Sequence, residues 1–271
     1  MPMRRYLYPD TEFSSSVQQA YYEPFEINFD TDTSARAVRV PQFGDPESIL
    51  GALQLKPSPV IFIMGGAGLM DEDALQDTRT LIEEGLVRFA EERQIVVIDG
   101  GTASGIMEQI GEARKQAGAT FPLLGVAPES QVAYPGHASG DKPAQLDGSH
   151  SHFVLTEGDE FGDESHTIAM LATAISLDQR QSALGIVING GQIVRQEVFM
   201  RSASGQMTFP ILVMEGSGRF ADELAEAKRT GVLPSDAEEE FAAILAADVD
   251  FFPIREGADA FRERLTHYFE L

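Results

Sequence analysis

The residues best suited to chemistry in this chain gather where apolar runs end. Ile95–Val96–Val97–Ile98 leads into Asp99–Gly100–Gly101–Thr102–Ala103–Ser104–Gly105, and a helical stretch follows from Ile106. The hydroxyls of Thr102 and Ser104 can cap a helix or bond an anion. Gly105 has no Cβ to obstruct approach, and the first N–H groups of the next helix lack intrahelical partners. No acid follows the turn before Glu108. The stretch therefore fits a tight strand-to-helix turn and a phosphate cradle alike. Asp99 either holds the turn or meets a ribose hydroxyl, and its neighbours fit both roles.

Three sister clusters share this pattern: Gly65–Gly66–Ala67–Gly68, Asn189–Gly190–Gly191 and Glu215–Gly216–Ser217–Gly218–Arg219. One glycine pair after a strand needs no more than a turn. Four clusters after four strands let a ligand approach the backbone. The candidate contacts are Gly65, Gly66, Ala67, Gly100, Gly101, Thr102, Ser104, Gly105, Asn189, Gly190, Gly191, Gly216, Ser217, Gly218 and Arg219. Arg219 offers a planar fork for phosphate or carboxylate, with a pair to Asp222 or Glu223 as its alternative. Asp222, in the first helical turn, also suits dipole compensation.

Other chemistries find less support. His150 and His152 lie two residues apart, but no third ligand follows at zinc-site spacing. Gly216–Ser217–Gly218 is one residue too compact for a Gly-x-Ser-x-Gly nucleophile elbow. The chain has no cysteine, which excludes thiol catalysis and disulfides.

The elements that must position these residues are legible from Pro59 onward. Val60–Met64, Ile95–Ile98, Leu123–Ala127, Phe153–Thr156, Gly185–Ile188 and Ile211–Met214 are near-continuous apolar runs, as expected of parallel strands buried on both faces. Helical stretches are expected over 75–92, 106–116, 165–177, 221–230, 237–247 and 258–268. Alternation of this kind predicts a Rossmann-like, doubly wound, mainly parallel α/β sheet flanked by helices. Phe251–Ile254 reads as an edge strand, where its proline is tolerated. The alternating segments 25–29 and 35–40 predict a hairpin, residues 1–24 a loose arm, and residues 130–148 a long loop. The expected division is an arm and hairpin over 1–55 packed on a main domain over 56–271.

Charge narrows the partners. The chain of 271 residues carries 43 acids against 20 Lys and Arg, a net −23. Such a field repels nucleic acid and anionic membranes. A small anion remains admissible, because salt screens the field over about 8 Å and local dipoles govern a cleft. With no long apolar run and no signal-like start, the expectation is a soluble cytoplasmic protein that needs no metal and no required cofactor.

"PVIFIMGGA" from Pro59, "EGLVRFAEERQIVVIDGGTASGIMEQIGEA" from Glu84, "LLGVAPE" from Leu123, "LDGSHSHFVLTEG" from Leu146 and "PILVMEGSGRFADELA" from Pro210 resemble, in order, the N-terminal homology region of melastatin-type TRP channels. That region belongs to the SLOG superfamily, and the chain resembles its stand-alone prokaryotic branch, LSDAT. The resemblance implies a domain that senses or binds a nucleotide-derived ligand such as ADP-ribose, NAD or a cyclic relative. Related Lonely Guy phosphoribohydrolases carry Pro-Gly-Gly-x-Gly-Thr-x-x-Glu, where this chain has Gly158-Asp159-Glu160-Phe161-Gly162-Asp163-Glu164-Ser165. Only by sliding register does Glu164 become a catalytic candidate, so the resemblance favours binding over N-glycoside hydrolysis. A ligand-gated interaction module, acting with a second copy or an effector protein, is a further alternative.

Overall fold

The computed structural model describes residues 21–66, 68–138, 141, 143–177, 182–203 and 209–269; Ala67 and residues 1–20 of the expected arm lie outside them. Its centre is a nine-stranded sheet in the order β1 (Pro24–Asn28), β2 (Ser34–Val40), β9 (His152–Thr156), β5 (Leu123–Pro128), β4 (Val96–Asp99), β3 (Val60–Gly66), β10 (Ala183–Asn189), β11 (Ile211–Glu215) and β12 (Val249–Pro253). β1 (Pro24–Asn28) and β2 (Ser34–Val40) form the expected antiparallel hairpin. Every other neighbouring pair in this sheet is parallel. The hairpin joins the sheet directly, because β2 pairs with β9 (His152–Thr156) from Arg36↔His152 to Val40↔Thr156.

Alternating side chains divide the core into two layers. Along β3 (Val60–Gly66), Val60, Phe62 and Met64 face one layer, which also holds Ile49, Leu171, Val198, Leu224 and Phe241. Ile61 and Ile63 face the other, with Leu86, Ile110, Phe261 and Leu265. The first layer is covered by α1 (Pro46–Leu53), α5 (Ser165–Ile175), α6 (Gln192–Ala203), α7 (Arg219–Thr230) and α8 (Glu238–Leu245). The second is covered by α2 (Glu72–Thr80), α3 (Arg88–Arg93), α4 (Gly105–Gln116) and α9 (Gly257–Phe269). Between α2 and α3 the backbone stays helical but widens to a π-helical turn over Leu81–Val87. Strands buried on both faces explain why the sequence shows apolar runs rather than alternation.

Chain order fixes where a ligand can enter. From β3 the chain moves outward through β4 (Val96–Asp99) and β5 (Leu123–Pro128) to β9. It then returns to the other side of β3 for β10 (Ala183–Asn189), β11 (Ile211–Glu215) and β12 (Val249–Pro253). The strand order reverses between β3 and β10, and open α/β sheets hold ligands in the crevice beyond such a point. Gly65 and Gly66 continue β3 instead of ending it, opposite Ile188 and Asn189 of β10. A Cβ on Gly65 would overlap the Ile188 carbonyl oxygen, so glycine permits this close pairing.

The stretch read as a long loop contains β6 (Val132–Tyr134), β7 (His137–Ala138) and β8 (Ala144–Gln145), which form a separate three-stranded sheet. Pairing of such short strands leaves little periodicity to read. Two helices also go beyond the sequence reading. α1 begins at Asp45, whose side chain accepts the Ser48 N–H at 2.8 Å, with a proline at the helix start. α6 directly follows Gly190–Gly191 and buries Val194 and Val198. Among the described residues no helix is long and apolar enough to cross a membrane.

Candidate functional site

The turns after β3, β10 and β11 converge on one guanidinium. A Cβ on Gly191 would lie 2.7 Å from Arg219 Nη2, and one on Gly68 would lie 3.6 Å from Nη1. The Arg219 side chain therefore lies across two glycine-bearing turns that flank the switch point. Its backbone sits at φ 48°, in the left-handed region, directly after Gly218 at φ 98°. Non-glycine residues in that region cost free energy and cluster where geometry serves function. No hydrogen bond or ion pair holds the Arg219 guanidinium among the described residues. The alternative pairing does not form with Asp222, whose Oδ1 accepts the Gly216 N–H at 2.6 Å.

Asn189 and Ser217 hold this arrangement from beneath. The Asn189 N–H donates to Ser217 Oγ at 2.7 Å, and Asn189 Nδ2 donates to the Ser217 carbonyl at 2.9 Å. Ser217 Oγ donates to the Met214 carbonyl at 2.6 Å, and both side chains are fully buried. The clasp fixes the β10 and β11 turns relative to each other. Above it opens a cavity of about 420 Å³, lined by Gly190, Gly191, Arg195, Arg219, Glu223 and Asp236 among others. Arg195 is paired with Glu240 at 2.9 Å, which leaves Arg219 as the cation in that wall without a partner among the described residues.

Helix starts around the crevice differ in electrostatics. At α2, the helix after β3, Asp71 caps with its side chain, accepting the Ala74 N–H at 2.8 Å, and Glu72 and Asp73 occupy the first turn. Those carboxylates already answer the helix dipole and repel an incoming anion. α6 has no acid in its first turn. The α2 start on the β3 side thus carries three acids, and the α6 start on the β10 side, where Arg219 lies, carries none in its first turn.

Gly100–Gly105 is built differently. Asp99 is fully buried, and its Oδ1 accepts the Gly101 N–H at 2.7 Å and lies 2.8 Å from His150 Nε2. His150 Nδ1 lies 3.0 Å from Asp147 Oδ2. Burial alone would depress the His150 imidazole, but Asp99 and Asp147 outweigh it and raise the pKa to about 9. The turn is further tied down by Ala103 N–H to the Gln145 carbonyl at 2.7 Å and by Asp147 N–H to the Gly101 carbonyl at 2.9 Å. A Cβ on Gly111 of α4 would overlap Asp147 Oδ2, so glycine in that helix makes room for the carboxylate. Thr102 is buried and its Oγ1 lies 3.1 Å from Ser104 Oγ, whereas Ser104 is exposed at the start of α4.

The candidate contacts thus fall into two groups. Gly65, Gly66, Asn189, Gly190, Gly191, Gly216, Ser217, Gly218 and Arg219 meet around the switch point, with Ala67 outside the described residues. Gly100, Gly101, Thr102, Ser104 and Gly105 follow β4, on the far side of β3 from β10. Glu164 lies elsewhere, at the start of α5. It accepts the Gly162 N–H at 2.7 Å, and burial pushes its pKa up to about 7, with Glu197 and Asp163 adding to the rise. It does not line the Arg219 cavity. Sequence reading overlooked the Asp99–His150–Asp147 cluster, for which the Asp147-x-x-His150 spacing was a slight signal. It also overlooked Arg195.

Comparisons with known proteins agree with this architecture. The family described as "SLOG in TRPM, prokaryote" matches residues 58–261. Transient receptor potential cation channel subfamily M member 2 of Mus musculus is 26% identical over 257 residues, covering 78% of this chain and 16% of the channel. Subfamily M member 1 of Mus musculus is 24% identical over 227 residues, covering 72% and 14%. Subfamily M member-like 2 of Nematostella vectensis is 28% identical over 211 residues, covering 61% and 13%. The chain therefore spans less than a fifth of the length of these curated relatives.

Proposed function

From the premise that this chain belongs to the prokaryotic SLOG family of TRPM type, we propose that it binds a nucleotide-derived small ligand in the switch-point crevice and acts as a sensor of it. The observation that carries this reading is the Arg219 guanidinium, held across Gly68 and Gly191 without a hydrogen bond or ion pair among the described residues. A phosphate there would receive charge-assisted hydrogen bonds from the fork and meet the acid-free start of α6. Glu223 and Asp236, on the same wall, suit ribose hydroxyls as acceptors. ADP-ribose and NAD present both groups. In this reading the Gly100–Gly105 turn supports the sheet edge, and the contacts to ligand come from the Gly190–Gly191 and Gly216–Arg219 turns.

A second reading, hydrolysis of an N-glycosidic bond, draws on Glu164, because a carboxyl raised to about 7 suits a general acid at neutral pH. One assay separates the two. The chain is incubated with ADP-ribose, NAD and nucleoside monophosphates while thermal stability and released base are followed. Stabilisation without base release is expected, reaching about 2.7 kcal/mol for a ligand at 100 times its Kd. Base release that disappears in Glu164→Ala would replace the sensing role with the hydrolytic one.

A further inference from the structure

The cavity beside β10 and β11 holds a second guanidinium whose partner is poorly matched to it. Arg195 lines the wall with 23% of its side chain exposed, and its Nε lies 2.9 Å from Glu240 Oε2 on α8. The contact is charge against charge without a hydrogen bond: Arg195 Nε and Glu240 Oε2 are both buried, and neither has a hydrogen-bond partner among the described residues. Desolvating a charged N–H without an aligned acceptor costs free energy that a better-matched anion recovers. No other described residue bonds the Arg195 guanidinium.

Helix geometry sets Arg195 beside Arg219. The Arg195 N–H donates to the Gly191 carbonyl at 3.0 Å, so Arg195 follows Gly191 by one turn on the same face of α6. Arg219 Nη2 comes within 2.7 Å of where a Cβ on Gly191 would stand. Neighbouring positions on a helix face are about 5–6 Å apart, so an anion over Gly191 has one guanidinium at hand and the next within a side chain's reach. The acids of the wall, Glu223 and Asp236, are exposed and screened by water. Glu240 keeps 28% of its side chain exposed and can hydrate when Arg195 turns away.

We infer that the crevice takes a diphosphate, with one phosphate on Arg219 and the other on Arg195, which gives up Glu240 in exchange. This rests on the reading that the crevice binds a nucleotide-derived ligand, and it adds the class of that ligand: two adjacent anionic groups rather than one. A phosphate offers the Arg195 fork the aligned, bidentate hydrogen bonds that Glu240 does not form. Because Arg195 and Glu240 stand on different helices, the exchange also undoes the ion pair between α6 and α8.

Calorimetry of the full chain with ADP-ribose, which has two phosphates, and AMP, which has one, tests this. Arg195→Ala should weaken ADP-ribose binding about tenfold or more, and AMP binding far less. AMP too weak to measure beside saturable ADP-ribose counts the same way. Glu240→Gln should strengthen ADP-ribose binding about two- to fivefold, because it frees Arg195 from its charge partner. If Arg195 only held α6 to α8, Glu240→Gln would have the opposite sign; thermal melts establish that each variant is folded. Equal losses for the two ligands in Arg195→Ala, or weaker ADP-ribose binding in Glu240→Gln, would overturn the diphosphate assignment, and the crevice reading would stand as long as Arg219→Ala weakens ADP-ribose. Absence of binding by both ligands, or binding indifferent to Arg219→Ala, would overturn both.

Discussion

Gly100–Gly105 and Gly190–Gly191 are glycine-rich turns at the carboxyl ends of β4 and β10, and they open the helices α4 and α6. In the first, Asp99, His150 and Asp147 form a buried chain of hydrogen bonds that ends on the Gly101 N–H. In the second, the Asn189 N–H and Nδ2 both bond Ser217 below the turn, while Asn189 Oδ1 is left without a hydrogen-bond partner among the described residues, and above it stands a guanidinium that also has none among them. On the proposed reading, similar glycine content serves two purposes. On that reading, what separates the two turns is whether a charged side chain beside them is already paired, as His150 is with Asp99 and Asp147 and Arg219 is not among the described residues, and a list of residues does not carry that information.

The difference can be broken at its strongest point first. His150→Ala leaves Asp99 and Asp147 without the cation between them, and loss of such a partner costs about 3–5 kcal/mol. Urea unfolding should show a loss of that order; a change below about 1 kcal/mol would mean that the cluster does not hold the turn. Titration probes the same cluster without a deletion. Because the folded pKa of His150 is raised from 6.5 to about 9, its stabilisation is complete below about pH 6.5 and is lost as pH rises through about 9. Unfolding free energies should fall by about 3 kcal/mol across that window in the wild type and stay flatter in His150→Ala.

Smaller effects sharpen the contrast between the turns. Gly101 has φ 67°, and a Cβ there would lie 2.8 Å from both Gly125 Cα and Phe153 Cε1, so Gly101→Ala should cost about 1–3 kcal/mol. Gly66 has no atom within 4 Å of its Cβ position, and Gly66→Ala should change stability by less than about 0.5 kcal/mol. Thermal melts of the two variants side by side measure the asymmetry, and equal losses would contradict it. Arg219→Ala should be similarly mild for stability while weakening ADP-ribose binding by about tenfold to a hundredfold. Unchanged affinity by calorimetry would remove Arg219 from the site.

Much of this arrangement was legible in the sequence because its signals are local. Apolar runs ending in glycine marked β3, β4, β5, β9, β10 and β11, and Pro253 marked β12 as an edge strand. The glycine clusters marked the carboxyl edge. Long-range pairing was not legible: Asp99 meets His150 across 51 positions, and β2 joins β9 although more than a hundred residues separate them. β6 to β8 were hidden by brevity, and α6 by a weakly amphipathic stretch that buries few residues. The residues around the crevice could be collected from sequence, but their division into clasp, cation and locked turn depended on geometry.

The central claim is that ligand meets the Gly190–Gly191 and Gly216–Arg219 turns while the Gly100–Gly105 turn stays structural. Backbone amide NMR of the isotopically labelled chain, titrated with ADP-ribose, tests it most directly. The account predicts the largest saturable shifts at the amides of Gly190, Gly191, Gly218 and Phe220, with Gly101 and Ala103 nearly unmoved. Largest shifts at Gly100, Ser104 and Gly105, with Gly190 and Gly191 unmoved, would contradict it.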